Sequence, residues 1–140
     1  MSSRAERLQP AVDQARQRSE DALARFAAQQ QQLARAEHQL SELHRYRDEY
    51  ANGGDAASSV SAMLNRQAFV QRIDQAITQQ VAEVARQQRQ LELVRADWTH
   101  SHARESALDS VVAHHVENER RAEERREQAE LDERFQHRRP

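Results

Sequence analysis

Residues that let a chain reverse sharply are almost missing from this sequence. Gly stands only at positions 53 and 54, and Pro only at 10 and 140 of 140 residues. One internal reversal is therefore provided for, and β-sandwiches, barrels and alternating β/α folds are disfavoured as classes. The chain reads as all-α. Only 37% of residues are hydrophobic, much of that Ala, which is too little to close a thick globular core.

The remaining question is whether the helices carry a stripe. Apolar residues recurring at alternating steps of three and four line one side of a slightly underwound helix. Before the glycines, position a reads Val12, Ser19, Phe26, Leu33, Leu40 and Arg47, and position d reads Leu8, Ala15, Ala22, Gln29, Ala36, Leu43 and Tyr50. All but Ser19, Gln29 and Arg47 are apolar or aromatic. The stripe predicts a helix over about 10–51, roughly 60 Å long, with Pro10 near its first turn, where no intrahelical donor is lost. Asn52-Gly53-Gly54-Asp55 predicts the turn, at about 52–58. Ser58 or Ser59 is the expected N-cap of a second helix over about 60–136. Its stripe has Val70, Ile77, Val84, Leu91, Trp98, Glu105 and Val112 at a, and Ile73, Gln80, Gln87, Val94, Ser101, Leu108 and His115 at d.

Neither stripe can bury itself alone, so the two should pack antiparallel as a single domain over 1–140. An a residue faces a d residue when the two numbers sum to 120. That register pairs Tyr50 with Val70, Ala36 with Val84, Phe26 with Val94, Ala22 with Trp98 and Leu8 with Val112, and leaves a weak stretch where Ser19 meets Ser101 and Ala15 meets Glu105. It also uses up the first helix at Leu8, so residues from about 113 onward should form a helical overhang. The expected fold is a long antiparallel two-helix coiled-coil hairpin with that C-terminal overhang. Composition shifts in step, since the 24 residues 117–140 hold eight acidic residues and seven Arg.

Several function classes find no support. Net charge is −2, from 21 basic residues, all Arg, against 23 acidic ones, so no basic surface predicts nucleic-acid binding. The segment from Arg120 to Arg126 alternates sign and lacks interleaved aromatics. Absence of Cys excludes disulfides and thiol chemistry and fits a reducing compartment. Apolar runs such as Ala62-Met63-Leu64 stop at three residues, far short of a membrane span. No two of the seven His stand three or four apart, the spacing a helical metal clamp needs, so no metal site is expected. A two-helix hairpin offers no enclosed site, and there is no phosphate loop, GxSxG or HExxH, so neither catalysis, a cofactor nor a small-molecule substrate is expected.

One cluster exceeds the needs of the seam. Gln39, Leu43, Tyr46 and Tyr50 step by four, three and four, and Phe69, Ile73, Ala76 and Gln80 repeat those steps. All eight fall at g or d, and g flanks g in an antiparallel pair, so they should merge into one face beside the turn. Two readings stay open: the aromatics thicken the core there, or they form a partner site.

Leu43-x-x-Tyr46-Arg47-Asp48-Glu49-Tyr50, the glycine turn, Phe69-Val70-x-x-Ile73-x-x-Ala76-Ile77-x-x-Gln80, Trp98, and Arg125-x-x-Gln128-x-x-x-Asp132-Glu133 together resemble the FliJ family of flagellar export proteins. The resemblance implies a non-enzymatic component of the flagellar type III export apparatus, needed for flagellum assembly and motility. It implies a chain, monomeric on its own, that is the central stalk of the export ATPase FliI and contacts the export gate protein FlhA and export chaperones. Its place would be the cytoplasm, peripheral to the inner membrane at the flagellar base. The family's gate-contacting surface carries over onto Gln39, Leu43, Tyr46, Tyr50, Phe69, Ile73, Ala76 and Gln80, and the end facing the ATPase ring onto Arg125, Gln128, Leu131, Asp132, Glu133 and Phe135. Alternatives are the equivalent stalk of a type III injectisome, or a structural coiled coil that self-associates through its overhang.

Overall fold

In the computed structural model the described residues are 3–52 and 59–138. They form two helices, α1 (Arg4–Asn52) and α2 (Val60–His137). The expected turn at Gly53-Gly54-Asp55, and the alternative cap Ser58, lie outside the described residues.

Helix α1 starts earlier than the predicted boundary near Pro10. Ser3 and Glu6 make a reciprocal capping box: the Glu6 amide donates to Ser3 Oγ (3.1 Å) and the Ser3 amide to Glu6 Oε2 (3.3 Å). This satisfies two of the donors that a helix N-terminus otherwise leaves open. Pro10 therefore sits inside the helix, in its second turn, where its ring costs one backbone hydrogen bond. The cap and the burial of Ala5, one turn before Leu8 on the seam, hold the extra turns in place. Ser59 caps α2, its Oγ accepting from the Ala62 amide (3.2 Å) and its carbonyl from the Met63 amide (3.0 Å).

Inter-residue contacts fall into two units, Ala22–Trp98 on one hand and Met1–Asp21 with Thr99–Pro140 on the other. In the unit Ala22–Trp98 the end of α1 runs antiparallel to the start of α2. Its cross-helix contacts are Phe26 with Trp98, Arg25 with Asp97, Gln29 with Gln87, Ala36 and Gln39 with Gln80, Arg47 with Asp74, and Tyr50 with Phe69. Each pair sums to within four of 120, as the predicted register requires. Trp98, expected opposite Ala22, also lies parallel to Phe26, with centroids 6.0 Å apart and planes at 10°. Ala22 itself, at 1% exposure, is closely covered.

Polar residues of this seam are all provided with partners. Gln29, 7% exposed, donates from Nε2 to both the side-chain oxygen and the carbonyl of Gln87. Gln80 Nε2 donates to the Ala36 carbonyl (3.0 Å) and to Gln39 Oε1 (3.2 Å). Arg47, an a position, turns its guanidinium outward onto Asp74. These ties fix alignment more than they add stability, because only one register brings each amide to its partner.

In the unit Met1–Asp21 with Thr99–Pro140, the buried residues are Ala5, Val12, Ala15 and Ser19 of α1. Across from them Ser101, Glu105, Leu108, Val112 and His115 of α2 are half-buried. Because α1 begins at Arg4, cover on α2 extends past Val112 to His115 and Glu117, about a turn beyond the expected limit. Past Ala122, every described residue from Glu123 to Arg138 is exposed. That stretch is supported by ion pairs along its own helix, such as Arg126 with Glu123 (2.6 Å).

Among the described residues no bulky side chain is fully buried. Two helices cannot surround a large side chain, so each keeps an edge in water. The buried residues of α1 are mostly small, Ala5, Ala15, Ser19, Ala22 and Ala36 among them.

Candidate protein-docking face

The eight g and d residues beside the turn all belong to the unit Ala22–Trp98. Two observed contacts span them. Tyr50 and Phe69 pack ring to ring at 4.5 Å with planes tilted by 50°, a favourable offset aromatic geometry. One heptad and a half deeper, Gln80 donates to Gln39. Both pairs share one alignment, which also sets Leu43 opposite Ala76 and Tyr46 opposite Ile73.

Exposure divides the eight. Ile73 is core, at 7%, and forms the floor of the face. Leu43, Ala76 and Gln80 are half-buried at its wall. Tyr46, Tyr50 and Phe69 stand out at 46%, 45% and 38%, and Gln39 is exposed. Seam packing therefore uses Ile73 and leaves 38–46% of each aromatic residue open to solvent.

Neighbouring charges hold this face in position. Arg45 lies 5.6 Å from the Tyr46 ring centre and pairs with Glu42 (2.6 Å) and Glu49 (3.8 Å), which clamps the arginine over the ring. On the opposite side of the seam, at a and e, the Arg47 guanidinium is held more basic than usual by its hydrogen bond to Asp74. Farther along α2, Glu83 is held down at about 2 by hydrogen bonds from Arg86 and then from Gln87, with desolvation opposing them. The exposed aromatic surface is thus bordered by charges already engaged locally.

Further apolar side chains stand exposed at the start of α2, off the g and d face. Val60, Met63 and Leu64 in the first turns of α2 are 74%, 51% and 59% exposed. The apolar run Ala62-Met63-Leu64 was the available signal. Of that run only Ala62, at g like Phe69, shares the face; Met63 falls at a and Leu64 at b.

The second candidate end lies in the other unit. Arg125, Gln128, Leu131, Asp132, Glu133 and Phe135 are all exposed. Of these, Gln128 and Asp132 are joined by a hydrogen bond of 3.2 Å. Leu131 and Phe135, one turn apart and 57% and 68% exposed, present the apolar surface there, beside Arg134 and Arg138. Upstream, Glu117 is held at about 2 by hydrogen bonds from Arg120 and Arg121.

His114 and His115 lie with ring centres 6.2 Å apart, and His114 Nε2 contacts Asn118. Among the described residues no group of three or more His, Asp or Glu converges as metal ligands would, and no helix is long and apolar enough to cross a membrane.

No curated protein and no solved structure matches this chain. A family description, flagellar FliJ protein, matches residues 3–139, from the capping serine of α1 to the end of α2. The chain belongs to the flagellar FliJ protein family.

Proposed function

We propose that this chain is the non-catalytic central stalk of the flagellar export ATPase FliI and links that ATPase to the export gate protein FlhA and to export chaperones. The observation that carries the reading is the family match across both helices. The uncovered Tyr46, Tyr50 and Phe69 supply what the gate contact requires: rigid aromatics over a packed floor, on two helices joined by specific amide and ion-pair ties. Rigid aromatic side chains lose little conformational freedom on docking and dominate many interfaces. The exposed segment carrying Arg125, Gln128, Leu131, Asp132, Glu133 and Phe135 is the end that enters the ATPase ring. On its own the chain is monomeric, and it works in the cytoplasm at the flagellar base.

The test is a pair of binding and activity measurements with purified FliI and the cytoplasmic part of FlhA. Wild-type chain raises ATP hydrolysis and is retained on FlhA; Tyr50→Ala and Phe69→Ala lose FlhA retention yet still raise hydrolysis. Leu131→Ala with Phe135→Ala does the reverse. Failure of the wild-type chain to bind either partner, or self-association at tens of micromolar by sedimentation equilibrium, overturns the reading.

A further inference from the structure

The N-terminal turns of α1 carry a basic cluster that neither the seam nor the docking face uses. Arg4, Arg7 and Leu8 of α1 and His115 of α2 line an open notch of about 340 Å³. All four belong to the unit Met1–Asp21 with Thr99–Pro140. His115 is half-buried at a d position, beyond the last apolar layer of Leu8 and Val112.

Six surface arginines of this chain, Arg45, Arg86, Arg95, Arg120, Arg121 and Arg126, pair with a carboxylate three or four residues away. Arg4 and Arg7 have none at that spacing: the residues there are Arg7 and Leu8 for the first, and Ser3, Arg4, Pro10 and Ala11 for the second. Glu6, between them, is engaged by Ser3. Among the described residues neither guanidinium has an ion-pair or hydrogen-bond partner. The amino end of α1 adds the positive pole of its backbone dipole. His115 brings a ring N–H to the same notch, and Leu8 with the arginine stems lines its floor.

We infer that this notch receives the glutamate side chain of an acidic segment on a partner protein. Two guanidinium forks and an imidazole match a carboxylate in charge and in donor geometry. The apolar floor decides between anions. A glutamate lays its methylenes on Leu8 as its carboxylate meets the arginines, whereas a phosphate ion would lose hydration over Leu8 with nothing to replace it. The inference stands apart from the export reading, since it concerns the chemistry of the notch whichever protein supplies the acid.

A hexaglutamate peptide, titrated into the full chain and followed by the histidine ring resonances, tests it. The His115 signal, identified by its loss in His115→Gln, moves saturably while those of His100 and His102 stay put. Arg4→Gln with Arg7→Gln weakens the apparent affinity at least about tenfold, the effect of losing charge-assisted hydrogen bonds. Arg16→Gln with Arg18→Gln leaves it within about twofold. If the double variant melts early, Arg7→Gln alone, at an exposed position, carries the comparison. Equal weakening by the Arg16 and Arg18 pair, or inorganic phosphate displacing the peptide at equal concentration, overturns the inference.

Discussion

Replacing Phe26 by Ala separates the residues that hold the two helices together from those that lie free on their surface. Phe26 is half-buried against one partner helix and lies parallel to Trp98. Truncating a fully buried Phe costs about 3–5 kcal/mol. With one edge in water, Phe26 loses about 2–3 kcal/mol of that, the ring pair accounting for about 1. For a urea dependence of about 2 kcal/mol per molar, the unfolding midpoint falls by about 1 M. Trp98 is the single tryptophan, and its emission reports the transition from directly beside the substitution. Phe69→Ala is the matched control. Phe69 is 38% exposed and touches Tyr50, itself 45% exposed, so its truncation costs about 1 kcal/mol and moves the midpoint by less than about 0.5 M. Equal midpoint shifts for the two variants would return Phe69 to the core and remove the argument that its ring is surplus to packing.

Ser3→Ala removes half of the capping box and costs about 1 kcal/mol, seen as faster amide exchange at Glu6 without change at Arg16. Gln29→Ala strips Gln87 of its donor inside the seam and destabilises by about 1–3 kcal/mol in the same urea assay, whereas Gln88→Ala, on the exposed surface, changes it by less than about 0.5. Glu117, held at about 2 by Arg120 and Arg121, stabilises α2 above the ordinary carboxylate range, and that contribution fades as pH falls from about 4.5 to about 2. By far-UV circular dichroism, wild type and Glu117→Gln should therefore differ in helix content at pH 5 and converge at pH 2; a difference unchanged across that range refutes the assignment.

Most of the fold was legible because a coiled coil repeats one decision many times. Val12, Ala15, Ser19, Ala22, Gln29 and Ala36 were placed on the seam by spacing alone, and all six are buried. A single error in phase would have exposed them all. The boundaries were less legible for the opposite reason, since each depends on one local contact. Ser3 and Glu6 carry the capping-box pattern in plain sight, but Pro10 drew the start of α1 toward itself. A proline inside a helix costs about 3 kcal/mol, and a cap together with seam contacts outweighs that where a stripe is already committed. The same cause moved the start of the exposed segment of α2, because the cover on His115 and Glu117 follows from where α1 begins.

Exposure of a site is harder to read than its position. Spacing put Tyr46, Tyr50, Ile73 and Phe69 on one face, yet of these Ile73 is packed away and the aromatics stand out. Periodicity gives the direction of each residue from the helix axis, and a d residue points at the partner helix whatever it is. Whether it ends up covered depends on its size and on its neighbours across the seam. Ile73 is short and flanked by larger residues. Tyr50, also at d, is too long for its layer and swings out to meet Phe69. The face is therefore built from a mismatch in side-chain size near the turn: where α1 has Ala15, Ala22 and Ala36 the seam closes, and where it has Tyr46 and Tyr50 the rings have nowhere to go but the surface. On this argument, Tyr50→Ala should leave the helix pairing intact and remove the exposed ring pair, whereas the reverse change, Ala36→Tyr, should force the helices apart at Gln80 and lower the urea midpoint by about 1 M, as overpacking a filled layer does.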